Sequence, residues 1–135
     1  MIVNTRNHVV ASIPGDGIGR ETVAAARRVL DVVAEGVGFG LEFREFPWGC
    51  DHYHATGAMM DDDGIALLSE CDAILLGAVG RPDVADHISL WGLLIPIRRN
   101  FDQYVSLRPA RLLTGVESPL SPAKAGIDVV IVREN

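Results

Sequence analysis

Three arginines carry the clearest chemical suggestion in this chain. Arg98 and Arg108 flank a turn and a short extended stretch, and Arg133 closes a later apolar run. A guanidinium offers a planar fork of donors that matches a carboxylate, so three converging arginines suit a dicarboxylate ligand. Spacing alone does not bring them together, and surface arginines or structural ion pairs are the plain alternative. A second feature is Ile13-Pro14-Gly15-Asp16-Gly17-Ile18-Gly19, where glycines let the backbone turn sharply and approach a ligand at the positive end of a helix. Its G-D-G-I-G spacing is not the GxGxxG dinucleotide fingerprint, so a tight strand-to-helix turn is the competing reading.

Other residues invite a metal or a redox role and argue against it. His52 and His54 form an HxH pair, but neighbours two apart on one helix point to different sides and no third ligand is evident. Asp61, Asp62 and Asp63 precede Ile65, Leu67 and Leu68, a position that suits the positive start of a helix better than a metal. Cys50 and Cys71 lie in no CxxC spacing, so neither zinc nor a disulfide framework is indicated and a reducing, cytoplasmic setting is expected. His87 could touch a ligand or order its loop, and Tyr104 is expected to pack.

The elements that would position these residues alternate. His8–Ile13 reads as a buried strand stopped by Pro14-Gly15. From about Arg20 to Val37 the spacing of Val23, Ala26, Leu30, Val33, Ala34 and Val37 predicts one helical face, with Arg27, Arg28, Asp31 and Glu35 outside. Leu41–Phe46 reads as a second strand with an irregular end, and the stretch 48–60 gives no clear pattern. Ala73–Leu76 is continuously apolar, which predicts burial on both faces, and it runs into Gly77-Ala78-Val79-Gly80-Arg81-Pro82. The stretch 90–101 suits a helix apart from Pro96; Val105–Leu107 is short and extended, and Ile127–Val132 is another strand. The β-α-β-α-β order predicts an α/β fold with a largely parallel sheet. Pro and Gly between Thr114 and Gly126 mark a loop into a second domain.

With 135 residues, 48% hydrophobic, the chain can bury a core of ordinary size. Its net charge of −6 argues against a broad, sequence-independent nucleic-acid surface, which needs clustered Lys and Arg. No stretch is long and apolar enough for a signal core or a membrane span, so no membrane partner is expected.

The runs IPGDGIGRE, GAVGRP, DHISLWGLLIPIRRNFDQYVSLRP and VREN, in that order, resemble the β-decarboxylating dehydrogenases, a family that includes isopropylmalate and isocitrate dehydrogenases. FPWGCD and DHISLWG resemble its tartrate and D-malate branch in particular. The resemblance covers nearly the whole chain. It implies an isopropylmalate dehydrogenase-like layered fold, incomplete in this chain, with residues 1–105 in a first α/β domain and 106–135 beginning a second.

It also implies roles. Arg98, Arg108 and Arg133 would grip the substrate carboxylates, Trp91, Leu94 and Ile95 would line the pocket for the variable substituent, and Ile18 with Gly77, Ala78 and Val79 would approach the cofactor. Arg99 inherits no such role. The implied reaction is NAD-dependent oxidation of a small 2-hydroxy dicarboxylic acid, tartrate or D-malate, with β-decarboxylation assisted by Mn2+ or Mg2+. The family's catalytic tyrosine and lysine and its metal-binding aspartates are expected beyond Asn135, with no metal ligand in this chain, and the family works as homodimers. Arg81 stands where the branch commonly has a large aromatic residue. Two alternatives remain: 3-isopropylmalate as substrate, which the apolar Leu94 and Ile95 permit, and a noncatalytic truncated fragment, inactive alone and prone to aggregate.

Overall fold

The apolar run at the start of the chain forms strand β1 (Asn7–Ile13), whose last four residues are all buried. The computed structural model describes residues 6–118, 120 and 126–135. They fall into two units, the first ending at Ile97 and the second beginning at Arg98.

After the glycine turn, helix α1 (Ile18–Val37) runs until Gly38, whose φ of 89° lets its N–H bond back to the Ala34 carbonyl. The buried stripe of α1 is narrower than the sequence predicts. Val23 and Ala34 are buried and Ala26 and Leu30 half-buried, whereas Val33 and Val37 are 46% and 72% exposed. They join Val29 and Val32 on an outer apolar face, because the sheet touches only one side of the helix. Arg27, expected on the outer surface, instead lies over the Phe43 ring and bonds Glu45 at 2.8 Å.

Strand β2 (Gly40–Glu45) pairs parallel to β1, from Asn7↔Gly40 to Ser12↔Glu45. The irregularity at its end is physical: β2 stops at Glu45, and Phe46, whose N–H still bonds the Ser12 carbonyl at 2.8 Å, stacks its ring on Trp48 with centroids 4.5 Å apart. The unpatterned stretch contains helix α2 (Cys50–Thr56). Helix α3 (Gly64–Ser69) follows the three aspartates, but none of them lies in its first turn and Asp63 makes no side-chain cap. Asp61 serves the core instead, accepting the indole N–H of the fully buried Trp48 at 2.9 Å.

Strand β3 (Ala73–Leu76) pairs parallel to the other side of β1, from Val10↔Ala73 to Ile13↔Leu76, giving the order β2-β1-β3. The predicted two-sided burial of β3 is not seen. It is half-buried or exposed, because it forms an edge of the sheet among the described residues.

Helix α4 (Asp86–Ser89) leads into a single π-turn (Leu90–Leu94) and then helix α5 (Ile95–Asn100). Pro96, expected to interrupt this stretch, is accommodated. It directly follows the π-turn, whose wider geometry carries the Ile95 N–H back to the Leu90 carbonyl and relieves the tight i−4 spacing that a proline ring disrupts. Leu93 and Ile97 are buried.

In the second unit, β4 (Val105–Arg111) and β5 (Asp128–Glu134) form an antiparallel ribbon in register from Val105↔Glu134 to Arg111↔Asp128. β4 is longer than the extended stretch read from sequence and takes in Pro109, which an edge strand tolerates. All of β5 is exposed, and Tyr104, expected to pack, is 73% exposed because the described residues offer nothing to cover the ribbon there. The predicted loop Thr114–Gly126 lies partly outside the described residues. Among those residues, no helix is long and apolar enough to cross a membrane.

Candidate functional site

The chain leaves β1 to form β2 on one side and then returns to place β3 on the other. Crossovers that diverge from neighbouring parallel strands open a crevice at their carboxyl ends, the usual ligand position of open α/β sheets. The two loops at that point are residues 14–17, after β1, and 77–85, after β3. They contain the two glycine-rich motifs.

The loops touch closely. A Cβ on Gly15 would stand 2.2 Å from the Ala78 carbonyl oxygen, and one on Gly77 would stand 2.1 Å from that of Pro14. No side chain fits at either contact. Asp16 ties the apposition together: its N–H donates to the Ala78 carbonyl at 2.7 Å, and its carboxylate, 3% exposed, accepts the Gly80 and Cys50 N–H groups at 2.9 Å each. Thus one buried side chain joins the β1 turn, the start of α2 and the β3 loop. Burial, reinforced by the Asp16 carboxylate, pushes the adjacent Cys50 thiol up to about 11.

Gly17, by contrast, has φ 49° and open space where a Cβ would point. Ile18 beside it is 60% exposed, Ala78 is exposed, and Gly77 and Val79 are half-buried, so the residues expected to approach a cofactor sit on these two adjoining turns.

Around the outside runs a set of charged contacts. Asp51 of α2 accepts from Arg20 of α1 and, at 2.5 Å, from Arg81. Arg81 also grips Asp83 with two bonds of 3.0 Å, and His54 Nε2 lies 3.1 Å from the same Asp83 carboxylate. The Arg20 contact holds the Asp51 carboxyl below the usual carboxylate range, and Arg81 does the same for Asp83. His52 turns elsewhere, to Asp61 at 3.2 Å. The two histidines therefore serve different carboxylates, and among the described residues no group of three His, Cys, Asp or Glu side chains could hold a metal.

The expected substituent-pocket residues lie on the π-turn and the start of α5. Trp91 is 57% exposed, while Leu94 and Ile95 are half-buried. Gly92 allows the π-turn to approach Met59, whose Cγ a Cβ would meet at 2.7 Å.

The three arginines belong to the second unit. Arg108 and Arg133 lie on one face of the ribbon as diagonal neighbours, since Arg133 pairs with Ser106 and Arg108 with Ile131. Arg108 donates from Nε to the Ser106 hydroxyl at 3.3 Å, and Arg133 from Nη2 to the Asn135 side-chain oxygen at 3.0 Å. Asn135 donates in turn to the Gln103 carbonyl at 2.6 Å, and the Gln103 N–H bonds the Arg98 carbonyl at 2.9 Å. A run of hydrogen bonds thus links the backbone of Arg98 to the side chain of Arg133. Among the described residues none of the three forms an ion pair, whereas Arg111 at the other end of the ribbon has Asp128 at 3.7 Å.

Sequence reasoning passed over Asp16, Ser106 and Asn135. Asp16 carried no local signal for this role, because the N–H groups its carboxylate accepts belong to Cys50 and Gly80, far along the chain. Ser106 and Asn135 carried only their spacing from Arg108 and Arg133, which points to one ribbon face once strands are assigned.

Comparison with known proteins is consistent across sequence and structure. The isocitrate/isopropylmalate dehydrogenase family model matches residues 9–135. The chain is 54% identical over 129 residues to D-malate dehydrogenase [decarboxylating] of Escherichia coli, covering 93% of this chain and 36% of that protein. It is 53% identical over 129 residues to the tartrate dehydrogenase/decarboxylase of Pseudomonas putida, covering 93% and 35%. Among solved structures, a β-decarboxylating dehydrogenase from Thermococcus kodakarensis superposes with a TM-score of 0.68 at 30% identity, covering 95% of this chain and 34% of that one. The chain therefore spans about a third of the length of the curated relatives it matches. The GDGIG and GAVG turns, the π-turn segment and the arginine ribbon all fall inside the matched residues, and the chain belongs to the isocitrate/isopropylmalate dehydrogenase family.

Proposed function

We propose that the complete enzyme oxidises a small 2-hydroxy dicarboxylic acid, D-malate or tartrate, with NAD as hydride acceptor and with loss of the β-carboxylate as carbon dioxide. The observation that carries this reading is the state of the arginines. Arg108 and Arg133 are held by a hydroxyl and an amide oxygen, which orient a guanidinium without cancelling its charge. Such groups retain their full attraction for an incoming carboxylate. The relatives with about half their matched residues in common are a D-malate and a tartrate dehydrogenase, which supports this substrate class.

Arg98, Arg108 and Arg133 bind the carboxylates and fix the orientation of the carbon that loses hydride, a positioning contribution. Trp91, Leu94 and Ile95 border the substituent. Ile18 and the backbone of Gly77, Ala78 and Val79 support the dinucleotide, and the open space at Gly17 and the exposed Ile18 beside it suit that role. Bound NAD accepts the hydride. The described residues do not fit Mn2+ or Mg2+, and the metal's ligands, like the general acid and base, are expected from further sequence. By the same reading the 135 residues do not turn over alone, and the complete enzyme works in the cytoplasm as a homodimer.

The test is NADH formation by a chain extended through its downstream coding sequence, with Mn2+ and D-malate, tartrate or 3-isopropylmalate, beside an Arg108→Ala variant. Turnover of D-malate or tartrate that falls at least a hundredfold in the folded variant is expected. Preference for 3-isopropylmalate would replace the substrate assignment, and undiminished turnover by Arg108→Ala would remove the role of the ribbon.

A further inference from the structure

The loop after β3 is held from two sides. Inside, Gly80 donates its N–H to Asp16. Outside, the Arg81 guanidinium is spread over two carboxylates: Nε and Nη2 bond Asp83 in a fork at 3.0 Å each, and Nη1 reaches Asp51 of α2 at 2.5 Å. The fork with Asp83 closes the loop on itself. The bond to Asp51 ties it to the rest of the unit, because Asp51 is also held by Arg20 at the first turn of α1.

Asp16, Gly17, Arg20, Asp51 and Arg81 together line a polar cavity of about 310 Å³ beside the two glycine turns. Between the inner and outer ties stands Gly80, with φ 133° and nothing within 4 Å of a Cβ position. At that residue the backbone can swing, so residues 81–83 keep their place through the outer ties, whereas Gly77 and Ala78 before it are already fixed by their bonds to Ile13 and Asp16.

Resting on the cofactor reading above, we infer that Arg81 is a positioning residue for the dinucleotide: its ion pair with Asp51 clasps the loop beyond Gly80 and keeps residues 81–83 beside the cofactor-binding turn of Gly77, Ala78 and Val79. The side chains involved are about half exposed, at 39% for Arg81 and 52% for Asp51. Pairs so exposed add little to global stability. Their effect is local, on the part of the loop that follows the permissive Gly80.

The experiment is titration of NADH fluorescence against the extended, active enzyme in four forms: unmodified, Arg81→Met, Asp51→Asn and the double variant. Each single change is expected to weaken NADH binding roughly fivefold or more, with the double variant no weaker than Asp51→Asn alone, since the Arg81–Asp51 contact is already lost there together with the Arg20 contact. Turnover at saturating NAD and the KM for the hydroxy acid remain near those of the unmodified enzyme, which a general loss of structure would not permit. Unchanged affinity in Arg81→Met overturns the clasp and leaves the cofactor reading standing. So does Asp51→Asn binding as well as or better than the unmodified enzyme, the result expected if Arg81 touched the dinucleotide itself. Failure of the unmodified enzyme to bind NADH overturns the cofactor reading and the clasp with it.

Discussion

Arg108 is oriented by Ser106, two residues back on the same face of the ribbon, through an Nε–H···Oγ bond of 3.3 Å. A hydroxyl sets direction and leaves the positive charge available, where an aspartate at the same place would neutralise it. In the active enzyme, Ser106→Ala should raise KM for the hydroxy dicarboxylate about threefold to tenfold with little change in kcat, because one restraint on one carboxylate contact is lost. Ser106→Asp should do more damage than Ala. Steady-state kinetics separates the cases, and Asp performing as well as Ala would speak against the charge argument.

Asp16 presents the opposite balance, a charged side chain whose importance is structural. Asp16→Ala leaves the Cys50 and Gly80 N–H groups without their acceptor and should cost about 2–3 kcal/mol, the penalty of stranded polar groups in a poorly hydrated place. Asp16→Asn keeps one accepting oxygen but sets an NH2 against the other N–H, so it should fall between. Urea unfolding of the three proteins should give the order Asp, Asn, Ala.

The glycines divide by what surrounds them. Gly77→Ala would drive a methyl to within 2.1 Å of the Pro14 carbonyl oxygen and must force the two turns apart. Gly57→Ala meets nothing within 4 Å and carries only the strain of φ 83°, about 1 kcal/mol. Thermal unfolding should show a clearly larger loss for Gly77→Ala. Equal losses would mean that the turns separate without resistance.

Cys50 sits under the Asp16 carboxylate with its thiol pushed up to about 11, well above the ordinary 9.0. The folded state therefore holds the thiol proton more tightly than the unfolded chain. Its contribution to stability is fully present below pH 9 and is lost as pH rises through about 11. Iodoacetamide at pH 8 should leave Cys50 unmodified in the native protein and label it in urea, as read by peptide mass. Ready native labelling would contradict the burial.

The elements that sequence made legible are those in which local pattern and packing agree. β1, α1 and the strand–loop–strand order were readable because Val9 to Ile13 and the glycines after them bury or turn for reasons local to the sequence. The outer face of α1 was not. Val33 and Val37 have helical spacing but face away from the sheet, and periodicity cannot tell which of two apolar flanks meets a neighbour. β3 misled for a related reason, since continuous apolarity signals eventual cover but not which residues provide it. In the candidate site, the arginines were legible through charge and family resemblance. Their orienting partners Ser106 and Asn135, and the tie at Asp16, depend on ladder register and loop contact, which no local window contains.

The chain has two tryptophans in opposite surroundings: Trp48 is 1% exposed, stacked on Phe46 and hydrogen-bonded to Asp61, and Trp91 is 57% exposed on the π-turn. Indole emission shifts to shorter wavelength out of water, so the molecule carries two optical signals that differ in colour. The blue one reports whether the core beneath α2 and α3 is intact. The red one reports events at the surface where the substituent of the hydroxy acid is expected, and iodide should quench it selectively. Loss of the core and exposure of the π-turn can thus be followed in one cuvette without a label.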